Sequence, residues 1–210
     1  MRSTLRILTV LSLLAFAGIV GCASKPAPIT HYLLRGEPVD GVRQIEGGVR
    51  VGLGRIVIAP YLLSSKGIMV ETAAGEVNPG NQHQWAEPLD AGLHWYLRSE
   101  IGRALGRDIG GGVSDRQSWD YTVNIAVSRF HGTMAGAAII EAEFSVIPAD
   151  KSQTISQVRF SKSVGLPQEG YVGVVEAEKS LARELAELIA DELRKRIDAD
   201  SSDPSESMGM

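Results

Sequence analysis

Between residues 121 and 164 the chain changes polarity at every second residue, in three successive runs, and then abandons that period for another. Tyr121, Val123, Ile125 and Val127 alternate with Thr122, Asn124, Ala126 and Ser128 over residues 121–128. Ala138, Ile140, Ala142, Phe144 and Val146 alternate with Glu141, Glu143 and Ser145 up to Pro148, and residues 154–164 put Val158, Phe160 and Val164 on one parity. A period of two is that of a strand with one wet face. Three such runs with short links, one of them a turn at 149–152, predict antiparallel neighbours. From Val174 the apolar residues instead fall on a helical stripe: Val174, Val175, Leu181, Leu185, Leu188, Ile189, Leu193 and Ile197. Glu176 and Glu178 come early and Arg194, Lys195 and Arg196 late, as the helix dipole favours. Asp191–Lys195 and Glu192–Arg196 have the i,i+4 spacing of helical ion pairs.

The first half of the chain is less regular. Residues 31–35, 49–59 and 66–72 read as strands, with Pro60 unable to continue the second ladder. The Gly-, Asn- and Pro-containing stretch 73–84 reads as a loop. Pro88 suits a first helical turn, Leu89, Leu93, Leu97, Ile101 and Leu105 follow at fours, and Gly106 is a plausible stop. Residues 107–117, with Gly110, Gly111 and Gly112, form a loop. The order β-β-β-α-β-β-β-α predicts a single α+β domain: a mainly antiparallel or mixed sheet of about six strands with two helices packed on one face.

Two arginines at positions 2 and 6 precede an apolar run from residue 7 to residue 20. That run falls short of the roughly 20 residues needed to span a bilayer and has the size of a signal-peptide core. It ends Ile19-Val20-Gly21-Cys22, which resembles the bacterial lipobox, with Ile where Leu is commonest. Cys22 is the chain's one cysteine, so no internal disulfide competes for its thiol. The expected organisation is a lipoprotein signal peptide at 1–21, a Pro-containing tether at 22–30, a domain at 31–198 and a disordered tail at 199–210. Removing residues 1–21 takes away two arginines and makes the chain more acidic than its full-length net charge of −4. Such a chain is a poor match for nucleic acid. Membrane attachment would come from acyl chains on Cys22, each buried methylene contributing about 0.8 kcal/mol. The residue after Cys22 is Ala23 rather than an Asp that would favour the inner membrane, and outer-membrane sorting is the expectation.

Little here points to catalysis. None of His31, His83, His94 and His131 has another histidine at a metal-ligand spacing. Ser114-Asp115 lacks a nucleophile elbow. Gly52-Leu53-Gly54 begins like a dinucleotide fingerprint, but the third glycine is missing and a strand follows where a helix should open. Glu141 and Glu143 share one strand face, where solvation is the simpler role. Neither a cofactor nor a metal is implied. Trp85-Ala86-Glu87-Pro88-Leu89 is open between a packing role and a partner contact, since Trp is enriched at interface hot spots. Tyr61-Leu62-Leu63 poses the same choice.

The segments HYLL at 31–34, VGLGRIVIAPYL at 51–62, QWAEPLDAGLHWYLRSEI at 84–101, YTVNIAVSRFHG at 121–132 and the terminal helix with its Ser-Leu-x-x-Leu-Ala step form a recognisable series. With the lipobox, they resemble the ABC-type transport auxiliary lipoproteins, the paraquat-inducible lipoproteins among them, over residues 22–197. That resemblance implies a non-enzymatic, outer-membrane-anchored subunit of an MCE-type intermembrane lipid transport system. It also implies an MCE-domain protein as periplasm-spanning partner and a ring-like homo-oligomer. Cys22 carries over as the lipidation site, and Trp85, Glu87, Pro88 and Leu89 as signature positions. A lipid-anchored hydrolase and an accessory lipoprotein of outer-membrane assembly are the competing readings.

Overall fold

The computed structural model describes residues 27–36, 48–73, 75–111, 119–150 and 154–202. Its elements are β1 (Thr30–Tyr32), β2 (Val51–Ile58), α1 (Pro60–Leu63), β3 (Gly67–Ala73), β4 (Glu76–Trp85), α2 (Leu89–Leu105), β5 (Tyr121–Thr133), β6 (Ala137–Pro148), β7 (Ser156–Gly165) and α3 (Gly170–Ser202). The expected α+β architecture is present. The described strands form one mixed seven-stranded sheet in the order β1-β4-β3-β5-β6-β7, with β2 also on β5.

β5 organises this sheet. One edge runs antiparallel along the whole of β6; the other is shared, first by β2 in parallel up to Val127 and then by β3 at Gly132 and Thr133. β6 in turn pairs with β7 from Ala137 to Val146. The alternation seen in the sequence is the alternation of burial: Tyr121, Val123, Ile125 and Val127 are buried, as are Ala138, Ile140, Ala142, Phe144 and Val146. α2 and α3 lie against that apolar parity and join it in one core through Leu93, Leu97, Ile101, Leu181, Leu185 and Ile189. The Tyr96 hydroxyl ties the two helices by donating to the Lys179 carbonyl at 2.9 Å.

Two elements differ from expectation. Residues 73–84 are not a loop: Glu76–Trp85 is β4, antiparallel to β3 and parallel to β1. Half of its residues are exposed and only Gly80 and Trp85 are buried, so no hydrophobic alternation marks it. Gly75, at φ 80°, supplies the left-handed turn into this strand. Pro60 does stop β2, but it does so by opening the short helix α1, whose Leu62 enters the core.

The other departures are small. Pro88 is the cap rather than the first helical residue of α2, and Gly106, at φ 70°, ends that helix as expected. α3 runs past the expected limit at 198 to Ser202, and Asp200 accepts a hydrogen bond from the Tyr121 hydroxyl. Asp191 pairs with Arg194 at 2.6 Å rather than with Lys195, while Glu192 does reach Arg196 at 3.6 Å. Gly52 gives a physical reason for the Gly-Leu-Gly step. A Cβ there would lie 1.9 Å from the Trp119 indole, and one at Gly110 would lie 2.3 Å away, so both glycines make room for that ring.

Candidate functional site

Among the signature positions, Trp85 is 5% exposed and Leu89 is also buried, both inside the core. Their backbone joins three segments. Trp85 N–H donates to the Lys66 carbonyl at 2.8 Å, and Ala86 N–H donates to the Tyr32 carbonyl at 2.8 Å. Glu87 accepts both terminal nitrogens of Arg35, at 2.5 and 2.7 Å. Leu34 is buried against Gly92 of α2, and Gly36 rests on Ser99 one helical stretch further along. The signature therefore stitches the first strand, the part of the described chain nearest Cys22, to the body of the domain. Cys22 itself and Ser114 lie outside the described residues.

A second cluster arises from a bulge. Val127 faces Ala142 and Arg129 faces Glu141, so β5 spends two steps where β6 spends one. Such an extra residue re-aims the side chains that follow it. Phe130 takes the core position, and Arg129 and His131 line an open cleft of about 690 Å³ with Tyr61, Ser64, Glu71 and Val77. Arg129 donates to Glu71 at 2.8 Å and to Glu141 at 3.2 Å. Hydrogen bonding from Gly75 N–H, the largest influence, and the Arg129 charge hold the Glu71 carboxyl below the usual carboxylate range. Burial pushes the Tyr61 phenol upward against the opposing pull of Arg129.

His131 is 2% exposed and its ring is committed on both sides. Its Nδ1 lies 3.0 Å from the Gly132 carbonyl, which only accepts, so Nδ1 carries the proton. Its Nε2 accepts from Arg129 Nε at 3.4 Å and faces Glu71 at 4.0 Å. A histidine base in an acyl-transfer triad needs the nucleophile at that nitrogen and the carboxylate at the other. Here the carboxylate and a guanidinium occupy the nucleophile's place, while Ser64 Oγ donates to the Tyr61 carbonyl at 2.7 Å. The cluster has the chemistry of an ion-pair lock.

The remaining histidines fall elsewhere. His83 stacks on Tyr171 with ring centres 4.2 Å apart, and its Nδ1 lies 3.0 Å from the Tyr32 hydroxyl. His94 Nε2 lies 3.2 Å from the Gly111 carbonyl. Among the described residues no three His, Cys, Asp or Glu side chains gather as metal ligands would. Sequence reasoning missed Arg129, Glu71 and His131 as a group; the one available signal was the Arg-Phe-His break in the parity of β5.

Fold and site together define an α+β domain with locked polar clusters and open surface clefts. The family model described as the ABC-type transport auxiliary lipoprotein component matches residues 32–190, and the chain belongs to that family. It is thus an accessory lipoprotein of a transport system. A crystal structure of an uncharacterized protein is similar at a TM-score of 0.67 and 21% identity, over 80% of this chain and 99% of that one. A Xanthomonas campestris protein of family DUF330 is similar at a TM-score of 0.64 and 18% identity, over 84% of this chain and 99% of that one. These two likenesses establish the shared fold. No curated protein is significantly similar to the chain.

Proposed function

We propose that the protein is a non-catalytic accessory subunit of an MCE-type intermembrane lipid transport system, held at the outer membrane by acyl chains on Cys22 and facing the periplasm. The observation that carries this reading is the family match over residues 32–190, which begins ten residues after Cys22. The mechanism is positional. The eight residues 22–29 that precede β1 span at most about 29 Å when extended, so an anchored domain is confined to a thin shell beside the bilayer. That confinement raises its effective concentration for a periplasm-spanning MCE-domain partner. Assembly as a ring of identical subunits would present several copies to that partner at once. The stitching of β1 by Arg35 and Glu87 fits this role, because it carries the pull of the anchor into the sheet.

Crosslinking in intact cells followed by purification from membranes tests the proposal. Recovery of an MCE-domain protein with its permease is the expected outcome; repeated recovery of none of the transporter's components overturns it. Cys22→Ala should move the protein from the membrane to the soluble periplasmic fraction.

A further inference from the structure

A groove of about 370 Å³ runs along the exposed side of α2, lined by Trp95, Arg98, Ser99, Arg103 and Arg107 with Asp108 as the acid among them. Trp95 is 50% exposed, whereas Trp85 and Trp119 are buried. Two guanidiniums flank its ring: Arg98 at 5.7 Å and Arg35, from the segment after β1, at 5.9 Å from the centroid. Among the described residues, local acids offset these cations only in part. Asp108 takes Arg98 at 3.2 Å, Glu87 takes Arg35, and the buried Glu100 is shared by Arg103 and Arg183. Arg107 donates to the Val49 carbonyl, which leaves its charge uncompensated by that contact. The same N-terminal segment exposes Ile29 and Leu33.

We propose that this groove is a membrane-docking face that takes the phosphates of anionic phospholipids, with Trp95 at the interface between headgroups and acyl chains. The inference rests on the anchored reading above. Its argument is charge complementarity. The chain as a whole is acidic, with a net charge of −4, and an acidic surface is repelled by an anionic leaflet. A cluster of arginines around one exposed indole is the surface that such a leaflet attracts. Guanidiniums bind phosphate bidentately, and an indole suits the interfacial zone because one edge is apolar and the other donates a hydrogen bond. Arg35 links the groove to the segment leading back toward Cys22, so docking would fix which face of the domain turns to the bilayer.

The test uses the full lipidated protein on vesicles of phosphatidylcholine with or without phosphatidylglycerol, the acyl chains carrying bromine as a contact quencher of indole emission. Quenching should occur with phosphatidylglycerol, fall on its omission, and weaken as added salt shortens the screening length from about 10 Å to about 3 Å. Trp95→Phe should abolish the quenching while floating with the vesicles as fully as wild type does. Wild type that floats but is quenched no more than Trp95→Phe overturns the docking face and leaves the anchor standing. Quenching equal in both lipid mixtures overturns the anionic phosphate. Emission of Trp95 that shifts blue on concentrating the protein, without any quenching, assigns the groove to a second copy and overturns the proposal. Failure of the lipidated protein to float overturns the anchor itself, and the docking face with it.

Discussion

Arg35 grips Glu87 through two nitrogens, at 2.5 and 2.7 Å, across 52 positions of sequence. Bidentate geometry makes this stronger than an ordinary surface pair, although Arg35 remains half exposed and screening by solvent reduces its worth. Arg35→Gln and Glu87→Gln should each lower stability by about 1 kcal/mol, a fall in Tm of roughly 2–4 °C. The double variant should lose less than the two losses added, because they share one contact. Urea titrations of all four proteins read the coupling; strictly additive losses would show that the pair does not hold β1 in place.

Glu178 is fully buried in α3, and its Oε2 has no hydrogen-bond partner among the described residues. Burial alone raises its pKa well above the ordinary carboxylate value. The folded state therefore holds a proton that the unfolded chain releases above its own pKa. Stability from this group falls as pH rises from the unfolded value towards the raised folded one. Glu178→Leu should stabilise the protein at neutral pH by about 1–2 kcal/mol, since it removes an unsatisfied buried group. The gain should shrink towards pH 4.5, where the unfolded chain is itself protonated. A gain that is constant with pH would contradict the assignment.

Gly52 lies under the Trp119 indole with no space for a methyl group. Gly52→Ala forces the ring or β2 to move and should cost about 1–3 kcal/mol by overpacking. Trp119→Leu in the same background should restore part of the loss, because the obstructing ring is gone. Equilibrium unfolding of the single and double variants checks this; an alanine without penalty would mean that the ring moves freely.

These variants also mark where the chain's pattern was legible. β5, β6, β7 and the two long helices could be read because burial imposes a period on them, and Val123 or Leu185 repeats it faithfully. β4 could not, since its exposed Asn78, Pro79 and Asn81 look like a turn; pairing with β1 and β3, which is non-local, makes it a strand. The alternation that marks β5 carries only as far as Ser128 because the bulge there breaks parity, and the ladder continues to Thr133 behind it. Arg129, His131 and Glu71 come together only through that bulge and the β3–β5 contact, so no local spacing announces them. The Trp85–Leu89 step stands out as a signature, yet the bond of Trp85 N–H to the Lys66 carbonyl and the pairing of Glu87 with Arg35 join it to residues distant in sequence.

Arg129 sits between Glu71 and Glu141, and its removal should be visible as a change in acid stability. Glu71 is held below the usual carboxylate range first by Gly75 N–H and then by Arg129. A depressed folded pKa contributes stability that is present above the unfolded pKa and is lost as pH falls through the folded one. Arg129→Gln takes away the second influence and leaves the first. The Glu71 titration midpoint, followed by carboxyl NMR, should move upward in the variant while staying below that of an unperturbed glutamate. The stability gap between wild type and variant should be widest near neutral pH and should narrow as pH falls through the lowered Glu71 value, once that carboxyl is protonated. Were the midpoint unchanged, the salt bridge at 2.8 Å would carry no weight in solution, and the Gly75 N–H together with the neighbouring His131 would account for the carboxylate's acidity.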